Sequence, residues 1–587
     1  MGRSLDRDGA AVRLRTAKGE RAAFGWGSVP LLFFPLAFLL LFYAWPLERI
    51  LALSFSRLDE GVPSLAAALL SARTLRVLGF TFGQAALSTL LTLALGMPGA
   101  YVFSHYTFRG KELFRALTGV PFVMPTLVVA AAFNALLGPR GWVNLGLMSL
   151  LGLDAPPIHF LNTLTAILAA HVFYNTTIVL RMVGDFWGRL NPRLAAAART
   201  LGASRWETLR RITLPLLSPA VLAASLLVFL FDFTSFGVVL VLGGPQYATL
   251  EVEIYYQTTA LFNLPLAAAL SLLQLLATLA LTAAYARLAR RVSRPLEGQP
   301  PRRKLPSLRS WRARLWGGLT LGVIAVWLLL PLGALAARSV VRLERDRGQF
   351  GEVRRGLTLD FYRALNENPR RSLFYAPPAT AVAVSLGYAA AAVALSLTLG
   401  LPVSWVLANR PEAPFARLLD PLLMLPLGTS AVTLGLGFVV AFGAPPLDLR
   451  ASPLLIPLAH TLVAFPFVVR SLTPALHSIR PRLRQAAAVL GASPRQVVRH
   501  IDLPLVGRAL LVAAVFAFTI SLGEFGATSL LARPEYPTLP VAIYRFLSRP
   551  GGMNYGQALA LSTILMLLTA AGMLFIERLR IAEVSEF

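Results

Sequence analysis

Cysteine is absent from this chain of 587 residues, and charged residues make up only 14% of it. Without cysteine there are no disulfides, no cysteine-ligated iron–sulfur clusters and no thiol catalysis. A soluble domain carries charge at about a quarter of its positions, so this composition is not that of a soluble protein. The sequence also lacks a GxxxxGK(S/T) phosphate loop, and it has no cluster of acids, histidines or nucleophiles. We therefore expect neither an enzyme nor a protein that binds ATP itself.

Apolar sequence is abundant, since 56% of the residues are hydrophobic and they come in long blocks. A block of about 20 residues crosses a bilayer as a helix, which satisfies its own backbone hydrogen bonds in lipid. We expect an all-α integral membrane protein with about twelve transmembrane helices. The predicted spans lie near residues 28–47, 77–104, 116–138, 163–185, 216–243, 263–286, 315–337, 376–407, 420–442, 453–475, 505–529 and 555–577.

The formal charge of +27 would suggest a nucleic-acid partner in a soluble protein. Here the basic residues lie mostly between apolar spans, where they fix orientation and meet anionic lipid, so we expect a bilayer and no nucleic acid. With the N-terminus inside, the inner segments hold most of the Lys and Arg. This predicts a multi-pass protein of the cytoplasmic (inner) membrane with both termini cytoplasmic. The Arg-rich loop 338–375 falls on the outer face, but it is long and also acidic, and long loops count weakly.

The stretch at 287–314 is rich in Arg and Pro and divides the chain into two nearly equal halves. The basic N-terminus leads into a first helix that has no convincing cleavage site, so we expect this helix to be retained. The predicted division is a cytoplasmic N-terminus (1–27), a first repeat (28–286), a cytoplasmic linker (287–314), a second repeat (315–577) and a cytoplasmic C-terminus (578–587).

The two halves match each other without a gap at an offset of 289 residues. The matches include His171 with His460, Arg181 with Arg470, Leu201-Gly202-Ala203-Ser204 with Leu490-Gly491-Ala492-Ser493, and Phe236-Gly237 with Phe525-Gly526. Six spans in each half make the repeats parallel, with a pseudo-twofold axis along the membrane normal and a path for cargo between them. An ATP-driven importer and an ion-driven secondary transporter both fit this repeat.

Two matched inner loops distinguish these transporter classes. Residues 197–220 and 486–509 each have an Ala-rich segment, a Gly, an Ile ten residues after the Gly and a Leu-Pro pair whose Pro is thirteen residues after it. The pattern predicts a short helix, a bend at Gly and a second helix. A single loop of this kind would be an ordinary basic connection. Two copies with the same spacing indicate a pair of docking elements for a twofold partner.

These loops resemble the EAA motif (Glu-Ala-Ala, three residues, Gly, then Ile-x-Leu-Pro) of bacterial ABC importer permeases. The resemblance implies that the loops couple the channel to two copies of a cytoplasmic ABC ATPase, which binds ATP and Mg, while this chain binds no cofactor. The implied coupling residues are Ala197, Ala198, Gly202, Ile212, Leu214 and Pro215 in the first loop and Ala486, Ala487, Gly491, Ile501, Leu503 and Pro504 in the second. The chain departs from the motif at its Glu, which is Ala196 in one copy and Gln485 in the other.

Residues 233–255 and 518–544 are similar to segments of iron(III)/thiamine permeases. This resemblance implies an extracytoplasmic substrate-binding protein that delivers the cargo. We expect ferric iron as the cargo and keep thiamine as the alternative, with the oxyanion and polyamine branches as more distant candidates.

Asp232, Ser235 and Glu524 lie inside predicted spans, and an ionised carboxylate in lipid is costly without partners. We predict that these residues lie along the path of a cationic cargo. The alternative is that the acids pair with an intramembrane arginine such as Arg181 or Arg470. For His171 and His460, polar packing is favoured over metal binding, because neither has a second ligand at a suitable spacing. We predict no metal site.

Overall fold

In the computed structural model of the chain, the described residues are 29–55, 70–244, 246–292, 307, 310–343, 356–367, 377–409, 419, 422–443, 445 and 447–585. The predicted N-terminal segment 1–27 and most of the predicted linker lie outside them.

The described residues are almost entirely helical. The first half contains α1 (Val29–Leu39), α2 (Trp45–Phe55), α3 (Ala72–His105), α4 (Lys111–Val123), α5 (Thr126–Leu137), α6 (Trp142–Leu151), α7 (Leu164–Ile178), α8 (Gly184–Arg189), α9 (Pro192–Thr200), α10 (Arg205–Thr208), α11 (Leu214–Phe233), α12 (Gly237–Leu242), α13 (Leu250–Thr259) and α14 (Leu264–Val292). Three π-helical segments, Leu40–Ala44, Val179–Val183 and Leu209–Thr213, join α1 to α2, α7 to α8 and α10 to α11.

The second half contains α15 (Trp311–Ser339), α16 (Asp360–Arg363), α17 (Thr380–Asn409), α18 (Ala431–Ala441), α19 (Leu455–Ser478), α20 (Pro481–Val489), α21 (Pro494–Val497), α22 (Leu503–Leu505), α23 (Gly507–Gly523), α24 (Gly526–Leu531), α25 (Leu539–Leu547) and α26 (Gly552–Ser585). A π segment, Val498–Asp502, joins α21 to α22, and short 3-10 turns cover Ala364–Asn366 and Leu425–Gly428. The antiparallel strands β1 (Val341–Arg342) and β2 (Gly356–Leu357) form a small hairpin after α15.

Ten helices of the described residues are long and apolar enough to cross a membrane, and two bent pairs raise the number to as many as twelve. The prediction of an all-α membrane protein with about twelve spans is therefore confirmed. The ten continuous spans are Leu31–Ser54, Ala72–His105, Thr126–Leu151, Leu164–Arg189, Arg205–Phe233, Leu264–Ala289, Trp311–Ser339, Thr380–Asn409, Leu455–Ser478 and Gly552–Leu579.

Four spans that we predicted as continuous are broken in the structure. The break near 116–138 falls at Pro125, which has no backbone N–H and holds the residue before it in an extended conformation. The break near 420–442 is a bend of 105° before α18, where the side chain of Ser430 accepts hydrogen bonds from the first amides of that helix. The other two, near 216–243 and 505–529, follow Phe233 and Gly523 and lie at matched positions of the two halves.

The first span of each half packs against the opposite half. Helices α1 and α2 lie against α17 and α18, and Tyr43 shares a hydrogen bond of 2.9 Å with Thr429. In the reciprocal arrangement α15 lies against α5, and Trp142 donates a hydrogen bond of 3.1 Å to the carbonyl of Ala334. The largest buried core accordingly contains side chains from both halves, including Phe236 of the first and Leu561 of the second.

Candidate functional site: two matched loops and a central aromatic cluster

The two predicted loops have the same backbone conformation from the Ala-rich helix to the Leu-Pro pair, after which the second bends by 68° at Val506 and the first continues as one helix. In the first, α9 ends in a turn with Gly202 at φ +93°, where the amide of Ala203 donates to the carbonyl of Ala198 and the amide of Gly202 donates to that of Arg199. This double hydrogen bond closes a helix through a left-handed residue, which is why glycine is needed there. The predicted helix, bend and second helix are confirmed in this copy.

The second loop repeats each of these contacts. Gly491 lies at φ +84°, the amide of Ala492 donates to Ala487, and the amide of Gly491 donates to Ala488. In both copies a Ser side chain then starts the next helix in a reciprocal capping box, with Glu207 in the first loop and Gln496 in the second. The sequence match thus corresponds to a match of structure.

Both loops leave large apolar side chains uncovered. Leu201 and its counterpart Leu490 are each 88% exposed, directly before the two glycines, and Trp206 is also exposed. Leu201 and Leu490 are not among the predicted coupling residues. The predicted ones have the same degree of burial in the two copies: the Leu-Pro pairs are exposed, and Ile212 and Ile501 are partly covered. Exposed apolar side chains grouped at matched positions are typical of a contact surface.

The loops differ in one ion pair. Arg484 donates from Nε to Oδ1 of the buried Asp502 at 2.7 Å, which ties α20 to the π segment beyond the turn. In the first loop these two positions are Ala195 and Thr213, which cannot form the pair. Gln485, which replaces the motif's Glu in this copy, follows Arg484 directly and is exposed, as is Ala196 in the first loop.

The break after α11 is braced by His171. Its Nε2 lies 2.8 Å from Oγ of Ser235, and its Nδ1 lies 3.5 Å from Oδ1 of Asp232. Asn175 donates to the same carboxylate oxygen at 2.6 Å, and Gln84 donates to the backbone carbonyl of Asp232 at 2.7 Å. Asp232 is buried, and these contacts serve its backbone carbonyl and Oδ1, while Oδ2 has no hydrogen-bond partner among the described residues.

The break after α23 is braced in the same way by His460, but the partners are exchanged. His460 lies 2.7 Å through Nδ1 from Ser521 and 3.3 Å through Nε2 from Glu524. In the register of the repeat, Ser521 matches Asp232 and Glu524 matches Ser235. At the two matched positions each histidine contacts one carboxylate and one hydroxyl, and these two groups have changed places between the halves. His460 also contacts a second hydroxyl, that of Thr528, which lies 2.8 Å from Nε2.

Glu524 also forms hydrogen bonds to the next helix, which Ser235 does not. Its carboxylate accepts hydrogen bonds from the amides of Ala527 and Thr528 at 2.8 and 3.0 Å and from the hydroxyl of Thr528. These groups lie in the first turn of α24, where an acidic side chain satisfies unpaired amides. We call the two sets, His171 with Asp232 and Ser235, and His460 with Ser521 and Glu524, the histidine brackets.

The alternative we considered for the acids, pairing with an intramembrane arginine, is wrong for both. Arg181 instead forms an ion pair of 2.7 Å with Glu577, and Arg470 donates to the sulfur of Met424 at 3.2 Å. The role of Asp232, Ser235 and Glu524 along a cargo path stays a prediction. Within the described residues no three histidine or acidic side chains are grouped closely enough to hold a metal ion.

Sequence reasoning missed a group of four aromatic rings beyond the two breaks. Phe236 and Phe525, which match each other in the repeat, stack with their ring centroids 5.4 Å apart and their planes 22° apart. Tyr255 flanks Phe236 at 5.3 Å, and its counterpart Tyr544 flanks Phe525 at 5.5 Å. The signal in the sequence was the repeated Phe-Gly pair. We call these four residues the aromatic quartet, and its two halves meet where the repeats meet.

The comparisons with known proteins decide between the transporter classes. Residues 92–294 and 400–580 each match the family "Binding-protein-dependent transport system inner membrane component". The chain belongs to this family. It is thus a permease of a binding-protein-dependent ABC importer, with one family domain in each half, as the resemblance of the loops implied.

Relatives of similar length share its organisation. The chain is 28% identical over 510 residues to the thiamine transport system permease protein ThiP of Brucella abortus (strain 2308), covering 86% of this chain and 87% of the relative. It is 27% identical to ThiP of Escherichia coli (strain K12), covering 80% and 83%. Among solved structures, a bacterial ABC transporter that imports alginate matches with a TM-score of 0.39 and 18% identity, covering 48% of this chain and 100% of the other.

Proposed function

We propose that the chain is the permease of a thiamine importer. The support is the set of full-length relatives, in which thiamine permeases of several bacteria recur. The expectation of ferric iron finds no support among them, so the alternative that we kept from the sequence becomes the preferred cargo. In this proposal an extracytoplasmic binding protein delivers thiamine to the outer face, and both termini lie in the cytoplasm.

The two matched loops are proposed to dock two copies of a cytoplasmic ATPase, which binds ATP and Mg. The uncovered Leu201 and Leu490 give each loop the same apolar contact, as a twofold partner requires. The first loop runs without interruption into the span Arg205–Phe233, which ends at the break that carries Phe236. A displacement of the first loop would therefore reach the aromatic quartet through this one helix, whereas the second loop is followed by a bend of 68° at Val506 before its span. ATP binding would favour one of two arrangements of the repeats through this connection.

The docking role is tested by substituting both loop glycines. Gly202 and Gly491 have positive φ, and a Cβ at either would meet no atom within 4 Å. Gly202→Leu with Gly491→Leu therefore costs the isolated chain about 1–2 kcal/mol per site from backbone strain alone. The new side chains extend into the space where a partner would lie. We expect the ATPase to be lost when the complex is purified through this chain.

The matched control is Gly152→Leu, because Gly152 also has positive φ and open space but lies outside both loops. This variant should keep the ATPase. Retention of the ATPase by the double loop variant would refute the docking role. The cargo is tested separately by uptake of labelled thiamine and labelled ferric iron in cells with and without the chain. Uptake of iron alone would refute the thiamine proposal.

A further inference from the structure

We propose that Phe236 and Phe525 form a slot that holds a planar organic cation between their ring faces when the two repeats move apart. This inference rests on the proposed import of thiamine and adds where in the permease the cargo is recognised. It is drawn from the geometry of the aromatic quartet.

The two phenylalanines come one from each repeat, at matched positions, and no other residue separates their rings. Their centroids are 5.4 Å apart with nearly parallel planes. A flat ring between them needs about 3.5 Å on each side, or about 7 Å in all. Stacked rings in contact already have faces about 3.5 Å apart, so the repeats must separate by about a further 3.5 Å at this point to admit one aromatic ring. In this structure the two rings lie against each other, and Phe236 and Phe525 are only 6% and 3% exposed, so the slot is closed to solvent.

The backbone brings the rings together because glycine follows each of them. A Cβ on Gly237 would lie 2.4 Å from the hydroxyl oxygen of Thr126 and 3.2 Å from the ring of Phe525. A Cβ on Gly526 would lie 2.8 Å from that of Ala431. Both positions thus need glycine for the same reason, which is close packing beside the stacked rings.

The slot favours a delocalised cation over a hydrated metal ion. Ring faces carry the negative part of the aromatic quadrupole and attract cations, most strongly where water is excluded. Tyr255 and Tyr544 add two further rings at the flanks. Hard metal ions instead require oxygen ligands. The nearby carboxylates already have partners: Asp232 and Glu524 belong to the histidine brackets, and Glu253 pairs with Arg73 and accepts a hydrogen bond from Gln257. Thiamine has the required chemistry, because it carries a cationic thiazolium ring and a planar pyrimidine.

The test is direct binding of thiamine to the purified complex of this chain with its ATPase, held in the ATP-bound state and without binding protein. Binding is measured by isothermal titration for the unmodified chain and for Phe236→Leu and Phe525→Leu. We expect each leucine variant to weaken binding about ten-fold, because leucine fills the space but has no ring face. Phe525→Tyr keeps the ring and should bind within about two-fold of the unmodified chain.

Two controls make the result specific. Phe438→Leu removes a fully buried ring from the second half away from the quartet, and it should leave thiamine binding unchanged. Thiochrome, a neutral planar oxidation product of thiamine, should bind much more weakly than thiamine. Unchanged binding in both leucine variants, or thiochrome binding as tightly as thiamine, would overturn the slot. Absence of thiamine binding in the unmodified complex would also overturn it. Cellular uptake of thiamine tests the proposed cargo independently of these outcomes.

Discussion

The exchange of acid and serine between the histidine brackets can be tested with a double-mutant cycle. The variants are Glu524→Ser, Ser521→Asp and the two together, which give His460 the partners that His171 has in the first half. If the brackets hold the breaks in place, an acid at either position should serve. The double variant should therefore be far less damaged than the sum of the two single variants.

The magnitudes follow from the contacts. Glu524→Ser leaves the buried amides of Ala527 and Thr528 without their acceptor, at about 1–3 kcal/mol each. One of these bonds is recovered if the serine hydroxyl caps the helix, so we expect a loss of about 1–3 kcal/mol in unfolding free energy. Ser521→Asp alone places two carboxylates against one buried histidine, which we expect to cost about 2 kcal/mol or more.

Stability is measured by denaturant unfolding of the purified protein in detergent, with thiamine uptake in cells as the functional readout. We expect a favourable coupling of at least about 2 kcal/mol in the double variant, since one carboxylate again faces His460. Additivity within about 0.5 kcal/mol would refute the equivalence of the two brackets. Glu524→Gln separates the bracket from a role along the cargo path, because it keeps the volume but removes the charge. The path role fails if this variant leaves uptake and substrate preference unchanged.

Two further predictions concern local packing. Gly526→Ala should destabilise the protein by about 1–3 kcal/mol, because the new methyl group meets backbone and Cβ atoms that cannot move aside. The control is Gly322→Ala, in the open middle of α15, which should be neutral or slightly stabilising. Equal thermal stability of the two variants would contradict this prediction. Arg484→Ala leaves the buried carboxylate of Asp502 without its charged partner, so we expect the free energy of unfolding to fall by about 3 kcal/mol. Arg484→Ala combined with Asp502→Thr should largely restore it. If chemical unfolding finds the double variant no more stable than the single one, the ion pair does not have this role.

The number of spans, the repeat and the conformation of the loops could be predicted because each rests on a local signal. Hydrophobic blocks reveal spans, and a glycine between an Ala-rich segment and a Leu-Pro pair reveals a helix end and a new start. The breaks were missed because an apolar run looks the same whether its helix is continuous or interrupted. The position of Glu524 inside such a run was the available clue.

The histidine partners were missed for a different reason. When the halves are aligned, Asp232 corresponds to Ser521 and Ser235 corresponds to Glu524. At each of these positions one half therefore has an acid that the other half lacks. Only the three-dimensional arrangement, in which both positions face the same histidine, reveals that the acid is retained on the other side of the ring. Long-range contacts of this kind have no local signal.

The reciprocal packing of the first spans has a consequence for synthesis. The chain emerges N-terminus first, and α1 and α2 enter the bilayer long before α17 and α18, their packing partners, have been made. During this interval Tyr43 lacks Thr429, and the faces of α1 and α2 that will pack against α17 and α18 lie against lipid. The halves are therefore not independent modules. If the chain were cut in the linker, the first span of each fragment would have its packing partners in the other fragment. Activity would return only after the two fragments had associated and each first span had packed against the opposite half.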